Sequence, residues 1–110
     1  MESVLSVLGH TEAAEREARK AIEARARDRG IELTEDHWKV IDLVRIRYAQ
    51  ANGTPKARDI AEELWSAFEE KGGRKYLYEL FPAGPVSTAA ELADLPKPLG
   101  AEDPSFGVAF

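Results

Sequence analysis

At 110 residues, with 44% hydrophobic and 32% charged side chains, the chain has the composition of one ordinary globular domain with a modest core, neither disordered nor membrane-embedded. It contains no cysteine, which excludes disulfides, thiolate chemistry and cysteine-type metal sites. A formal net charge of -5 argues against a non-specific grip on nucleic acid or anionic lipid.

The opening MESVLSVLGH lacks the basic start and long apolar middle of a signal peptide, and no apolar run is long enough to span a bilayer. No membrane partner and a cytoplasmic location are therefore expected. The chain divides into an N-terminal segment (residues 1–10), an all-α domain (residues 11–95) and a C-terminal arm with its extension (residues 96–110).

Residues 11–29, TEAAEREARKAIEARARDR, are rich in strong helix formers and stop at Gly30. The face of this first helix reads as Ala14, Ala18, Ala21 and Ile22, small side chains that predict a weakly held element. Thr34 then supplies an N-cap, Glu35 and Asp36 suit the positive end of a helix, and Leu33 and Trp38 stand at the positions of a hydrophobic staple. Trp38, Ile41, Val44 and Tyr48 recur at helical spacing beside Val40, predicting a core stripe that ends at Asn52 and Gly53. Thr54 and Pro55 read as the N-cap and first residue of a third helix. Ala57, Ile60, Ala61, Leu64, Trp65 and Phe68 form its apolar face as far as Gly72 and Gly73. A short helix from Tyr76 to Phe81 stops at Pro82. Gly84 and Pro85 open a last one with Val86, Ala89, Ala90 and Ala93 on one face. The two prolines of PKP favour an extended arm beyond it.

The second and third helices, joined by a short turn, have the outline of a helix-turn-helix. Lys56 and Arg58 stand where base-contacting residues would lie, but Asp59, Glu62, Glu63, Glu69 and Glu70 accompany them and would repel a phosphate backbone. A DNA-binding regulator is the alternative reading, and nucleic acid is not the expected partner.

Four stretches together, GIELTEDHW, TPKAR, KYLYELFPAGP and LPKPLG, resemble the DsrC/TusE family of sulfur-relay proteins, which includes the gamma subunit associated with dissimilatory sulfite reductase. The resemblance covers roughly residues 15 to 101. It implies a small helical domain with a mobile C-terminal arm, whose penultimate residue in the family is a cysteine that carries persulfide sulfur. In part of the family a second cysteine lies eleven residues earlier. Laid on this sequence, those positions are Ala101 and Ala90, so the resemblance implies a cysteine-less, RspA-like member. Nine residues, EDPSFGVAF, follow position 101, and only MESVLSVLGH stands where relatives carry an extra segment with a small hairpin. The resemblance also implies partner-binding roles for Arg58, Lys75, Tyr76, Tyr78, Lys97, Gly100 and Ala101.

Persulfide transfer needs a sulfur nucleophile, which alanine lacks, and Met1 is a thioether with no thiolate form. His10 and His37 have no apparent ligand set, His37 reading as a polar group at a helix start. No nucleophile–base pair, phosphate loop or metal motif is evident, so no cofactor, no metal and no enzyme activity are expected. The preferred reading is a regulatory or partner-binding protein of sulfur metabolism, with sulfur-relay or sulfite-reductase-type proteins as partners. Should the natural chain carry cysteines at the two positions, a relay or gamma-subunit role is the alternative. The oligomeric state is not legible.

Overall fold

The computed structural model describes Leu8, Gly9 and residues 11–100. The readings made for the N-terminal segment and for Ala101 with its extension lie outside the described residues, apart from Leu8 and Gly9. Within them the chain forms helices α1 (Glu12–Asp28), α2 (Glu35–Gln50), α3 (Ala57–Ala67), α4 (Arg74–Leu80) and α5 (Pro85–Leu92), with a 3-10 turn at Glu69–Lys71. The all-α class read from the sequence is the class observed.

Helix α1 starts where Thr11 Oγ1 accepts the Ala14 amide at 3.1 Å, and it ends with the Ile31 amide returning to the Ala26 carbonyl at 2.8 Å. Its buried residues are Glu15, Ile22 and Ala26. Of the expected face Ile22 is buried, Ala18 and Ala21 are half-buried and Ala14 is exposed, so the packed face is turned from the expected one toward Glu15 and Ala26. Ile22 and Ala26 join the core, Arg25 donates to the Leu92 carbonyl at 2.7 Å, and the link to α2 is ionic. Arg45 of α2, 5% exposed, donates to both carboxylate oxygens of Glu15, at 2.5 and 2.9 Å, and to Asp42 at 3.1 Å. Burial works against the guanidinium charge, yet Glu15 and Asp42 hold its proton more firmly than in a free arginine.

Helix α2 carries Val40, Ile41 and Val44 into the core, all at 0% exposure. Trp38 and Tyr48, read as part of that stripe, are only half-buried. Trp38 lies at the rim under the Arg19 guanidinium, 3.9 Å from its ring centroid. Trp65 of α3 is likewise half-buried, its indole N–H without an acceptor among the described residues and Arg74 5.5 Å from its ring centroid. A large amphipathic ring at the edge of a small core keeps one side in solvent, which periodicity alone does not distinguish from full burial.

Helix α3 begins at Ala57, later than the expected Thr54–Pro55 start, because residues 55–57 are engaged elsewhere. It buries Ala57, Ile60, Ala61 and Leu64 and ends at Ala67, short of the expected Gly72–Gly73 stop. The paired glycines turn the chain from the 3-10 segment into α4 with φ of 122° and 58°. A Cβ at Gly72 would lie 3.3 Å from that of Tyr76. Helix α5 is the centre of the domain. It packs most extensively on α2 and also touches α1, α3 and α4. Pro85, Val86, Thr88, Ala89, Ala90 and Leu92 are all buried. No described helix is long and apolar enough to cross a membrane.

Candidate partner-docking site

The sequence motifs of interest meet at the two ends of α2. At its N-terminus, Thr34 and His37 form a reciprocal capping pair: the His37 amide donates to Thr34 Oγ1 at 3.4 Å, and the Thr34 amide donates to His37 Nδ1 at 3.2 Å. Because a carbonyl can only accept, Nε2 carries the ring proton, which it donates to the Leu80 carbonyl at 2.9 Å. The imidazole also meets the Phe81 ring edge-on, with centroids 4.9 Å apart. Next to it, Asp36 accepts from Lys71 Nζ at 2.7 Å and from the Tyr76 hydroxyl. Those two hydrogen bonds hold the Asp36 carboxyl below its ordinary pKa, and the same partnership raises both Lys71 and Tyr76. TEDHW and KYLYELFP are thus two halves of one joint between α2 and α4. The helix-start role read for His37 is present. Its reach to Leu80, 43 residues away, leaves no signal in local spacing.

Beside this joint lies a cleft of about 640 Å³ lined by Arg29, Ile31, His37, Phe81, Pro82 and Ser87 among others. Both ring nitrogens of His37 are already engaged, and Arg29 is paired with Glu91. Among the described residues no group of three or more His, Cys, Asp or Glu side chains is placed to hold a metal ion.

At the C-terminal end of α2 the root of the arm is seated. The Tyr48 hydroxyl donates to the Pro96 carbonyl at 2.5 Å, and Pro98 is buried. Leu99 forms a parallel bridge with Lys56: its amide donates to the Pro55 carbonyl at 3.0 Å, and its carbonyl accepts the Ala57 amide at 2.9 Å. Burial of Tyr48 in this contact pushes its hydroxyl pKa up. Leu99 itself is 56% exposed, with its side chain turned to solvent beside the bridge.

The candidate residues fall into separate groups. Lys97 and Gly100 lie on the arm root, Gly100 with a φ of 78°, and Arg58 is the second residue of α3, next to the bridge. Arg58 is exposed and engages Glu62 at 3.2 Å. Lys75, Tyr76 and Tyr78 belong to α4, where Lys75 is exposed and the two tyrosines are half-buried. Tyr76 is committed to Asp36 at the far end of α2, about 24 Å away at 1.5 Å per residue over the 16 residues of that helix. Ala90 is 1% exposed in the middle of α5. Sequence reasoning missed Tyr48, Pro55 and Pro98 as the seat of the arm. The only available signal was an aromatic at the end of a helical stripe, which reads equally as core.

A small helical domain that seats the root of a C-terminal arm is the class of protein this arrangement defines. Residues 8–101 match the family described as DsrC like protein, and the chain belongs to that family. It is 47% identical over 75 residues to sulfurtransferase TusE of Sodalis glossinidius, covering 67% of this chain and 69% of that one. Sulfurtransferase TusE of Escherichia coli K12 is 43% identical over the same shares. The NMR structure of Allochromatium vinosum DsrC superposes with a TM-score of 0.61 at 38% identity, covering 74% of this chain and 73% of that one. These relatives correct the expectation of no enzyme activity, because those matched in sequence bear the name of an enzyme, sulfurtransferase. That expectation rested on the lack of a cysteine and of any nucleophile–base pair, phosphate loop or metal motif. Sulfur exchange between thiols does not require a nucleophile–base pair, since the thiolate attacks sulfur directly.

Proposed function

We propose that this chain serves sulfur transfer as a partner-docking and regulatory component, presenting its arm to a sulfur-relay or sulfite-reductase-type protein while the sulfur rides on thiols of those partners. The observation that carries the reading is the combination of a seated family arm root with a chain that has no cysteine at all. Alanine stands at positions 90 and 101, where the family resemblance sets cysteines, and no other side chain here forms a thiolate. Regulation then acts by occupancy: a relay partner holding this arm is unavailable to a cysteine-bearing relative. The proposed setting is the cytoplasm, where thiols remain reduced and persulfides can be handed on. The helix-turn-helix outline does not favour DNA, since Arg58 is engaged by Glu62 and acidic residues line the same helix.

The test follows persulfide transfer between two cysteine-bearing relay proteins, by intact mass, with and without this chain. Added chain is expected to change the transfer rate in proportion to its occupancy of one partner, and to gain no stable sulfur itself. Absence of binding to every relay and sulfite-reductase-type partner, together with an unchanged transfer rate, overturns the reading.

A further inference from the structure

Helix α3 lacks a local N-cap. Lys56 stands at the capping position, and its side chain makes no capping hydrogen bond. The first amide of the helix, that of Ala57, is satisfied instead by the Leu99 carbonyl at 2.9 Å, from a segment more than 40 residues further along the chain. Helix starts leave their first amides without intrahelical acceptors, and an unmet cap loosens the first turn. We propose that the seated arm root is the N-cap of α3, with Tyr48 as the residue that positions it, so that drawing the arm away loosens the turn carrying Arg58.

Three contacts on the arm support this geometry. Tyr48 fixes the Pro96 carbonyl at 2.5 Å, Pro98 is buried, and the Leu99 amide is anchored on the Pro55 carbonyl at 3.0 Å. With Leu99 held at both its amide and its carbonyl, the arm cannot slide without breaking the cap. Coupling of this kind is reciprocal: a partner that orders the start of α3 holds the arm in its seat, and one that withdraws the arm frays the start of α3. The exposed Lys56 and Arg58 at that turn then report whether the arm is seated. This deepens the docking reading, since it rests on the arm being what a partner draws on.

The experiment uses the full chain without any partner, so its failure leaves the docking reading standing. Amide hydrogen exchange is measured for the unaltered protein, for Tyr48→Phe and Leu99→Pro, which loosen the arm from opposite ends of the seat, and for each combined with Lys56→Asp. Both loosening variants are expected to speed exchange at Ala57, Ile60 and Ala61 about fivefold, the factor for losing one cap. The Ala93 amide, bonded to the Ala89 carbonyl in α5, is expected to stay unchanged. Lys56→Asp supplies a side-chain cap and is expected to restore Ile60 and Ala61 while Ala57 stays fast. Unchanged exchange at Ile60 and Ala61, acceleration matched at Ala93, or no restoration by Lys56→Asp each overturns the proposal.

Discussion

Helices α1 and α5 both contact α2, and by opposite means: α1, which packs on α5, reaches α2 through ion pairs, whereas α5 lies directly on it. Helix α1 buries three of its 17 residues, and one of those is Glu15, tied to the buried Arg45. Helix α5 buries six of its eight, five of them without a charge or hydroxyl on the side chain. The first is a helix by local propensity, rich in alanine and charge, that needs a specific ion pair to find its place. The second is too short to be stable alone and exists because burial holds it. A similar contrast marks the ends of α2: charge and hydrogen bonds at Asp36 and His37 join it to α4, whereas a tyrosine and a two-residue bridge seat the arm.

The sharpest way to break this contrast is to remove one ion from the α1 contact. Arg45→Ala removes two hydrogen bonds from the Glu15 carboxylate, which keeps Arg19 at 3.4 Å, and the expected loss is about 3 kcal/mol in chemical denaturation, because breaking a buried pair costs more than the pair contributes. The double variant Arg45→Met with Glu15→Leu is expected to recover most of that loss, since an apolar pair removes the desolvation penalty from both sides. If the double variant is as unstable as the single one, the pair does more than fasten α1.

On the apolar side, Ala90→Leu adds three carbons to a position that is 1% exposed, at the junction of α5 with its neighbours. Overpacking there is expected to cost about 1–3 kcal/mol, read as a lower denaturation midpoint with an unchanged slope. A neutral result would show that α5 sits more loosely than its burial implies.

The joint at Asp36 makes a statement about pH. Its native pKa is depressed, so its contribution to stability is complete above the ordinary aspartate value of about 3.9 and is lost as pH falls through the lower native value. Lys71 and Tyr76 are raised, so theirs is complete below their unfolded values and is lost as pH rises through the native ones. Asp36→Asn is therefore expected to lower stability at neutral pH and to flatten its decline in strong acid, measured as denaturation midpoints between pH 2 and 7. A parallel downward shift at every pH would contradict the linkage.

The smallest effect is expected at the end of α5, where Asp94 adopts a φ of 57° with its side chain 85% exposed. Asp94→Gly relieves the left-handed strain but adds freedom to the unfolded chain, for a net gain of up to about 0.5 kcal/mol. Thermal unfolding reads it directly, and a loss would give weight to the Arg25 contact, at 3.9 Å, that the change removes.

The sequence by itself determined the helical segments and most of their limits, because those depend on neighbours three or four residues apart: Thr34 as a cap, the apolar faces of α3 and α5, and the breaks at Gly30, Pro82 and Gly84. It also carried the motifs of the family and the absence of any thiol. Ile22 on α1 was legible, but the burial of Glu15 was decided elsewhere, by Arg45, because an ion pair 30 residues apart leaves no periodic trace. The same holds for the half-buried Trp38 and Trp65, whose spacing says that they lie on a packed face but not how near its edge. The start of α3 and the seat of the arm were decided only by tertiary structure. Pro55 and Lys56 could begin a helix by local preference, and they stay outside it because Leu99, brought back by the turn after α5, bonds the Pro55 carbonyl and the Ala57 amide on either side of Lys56.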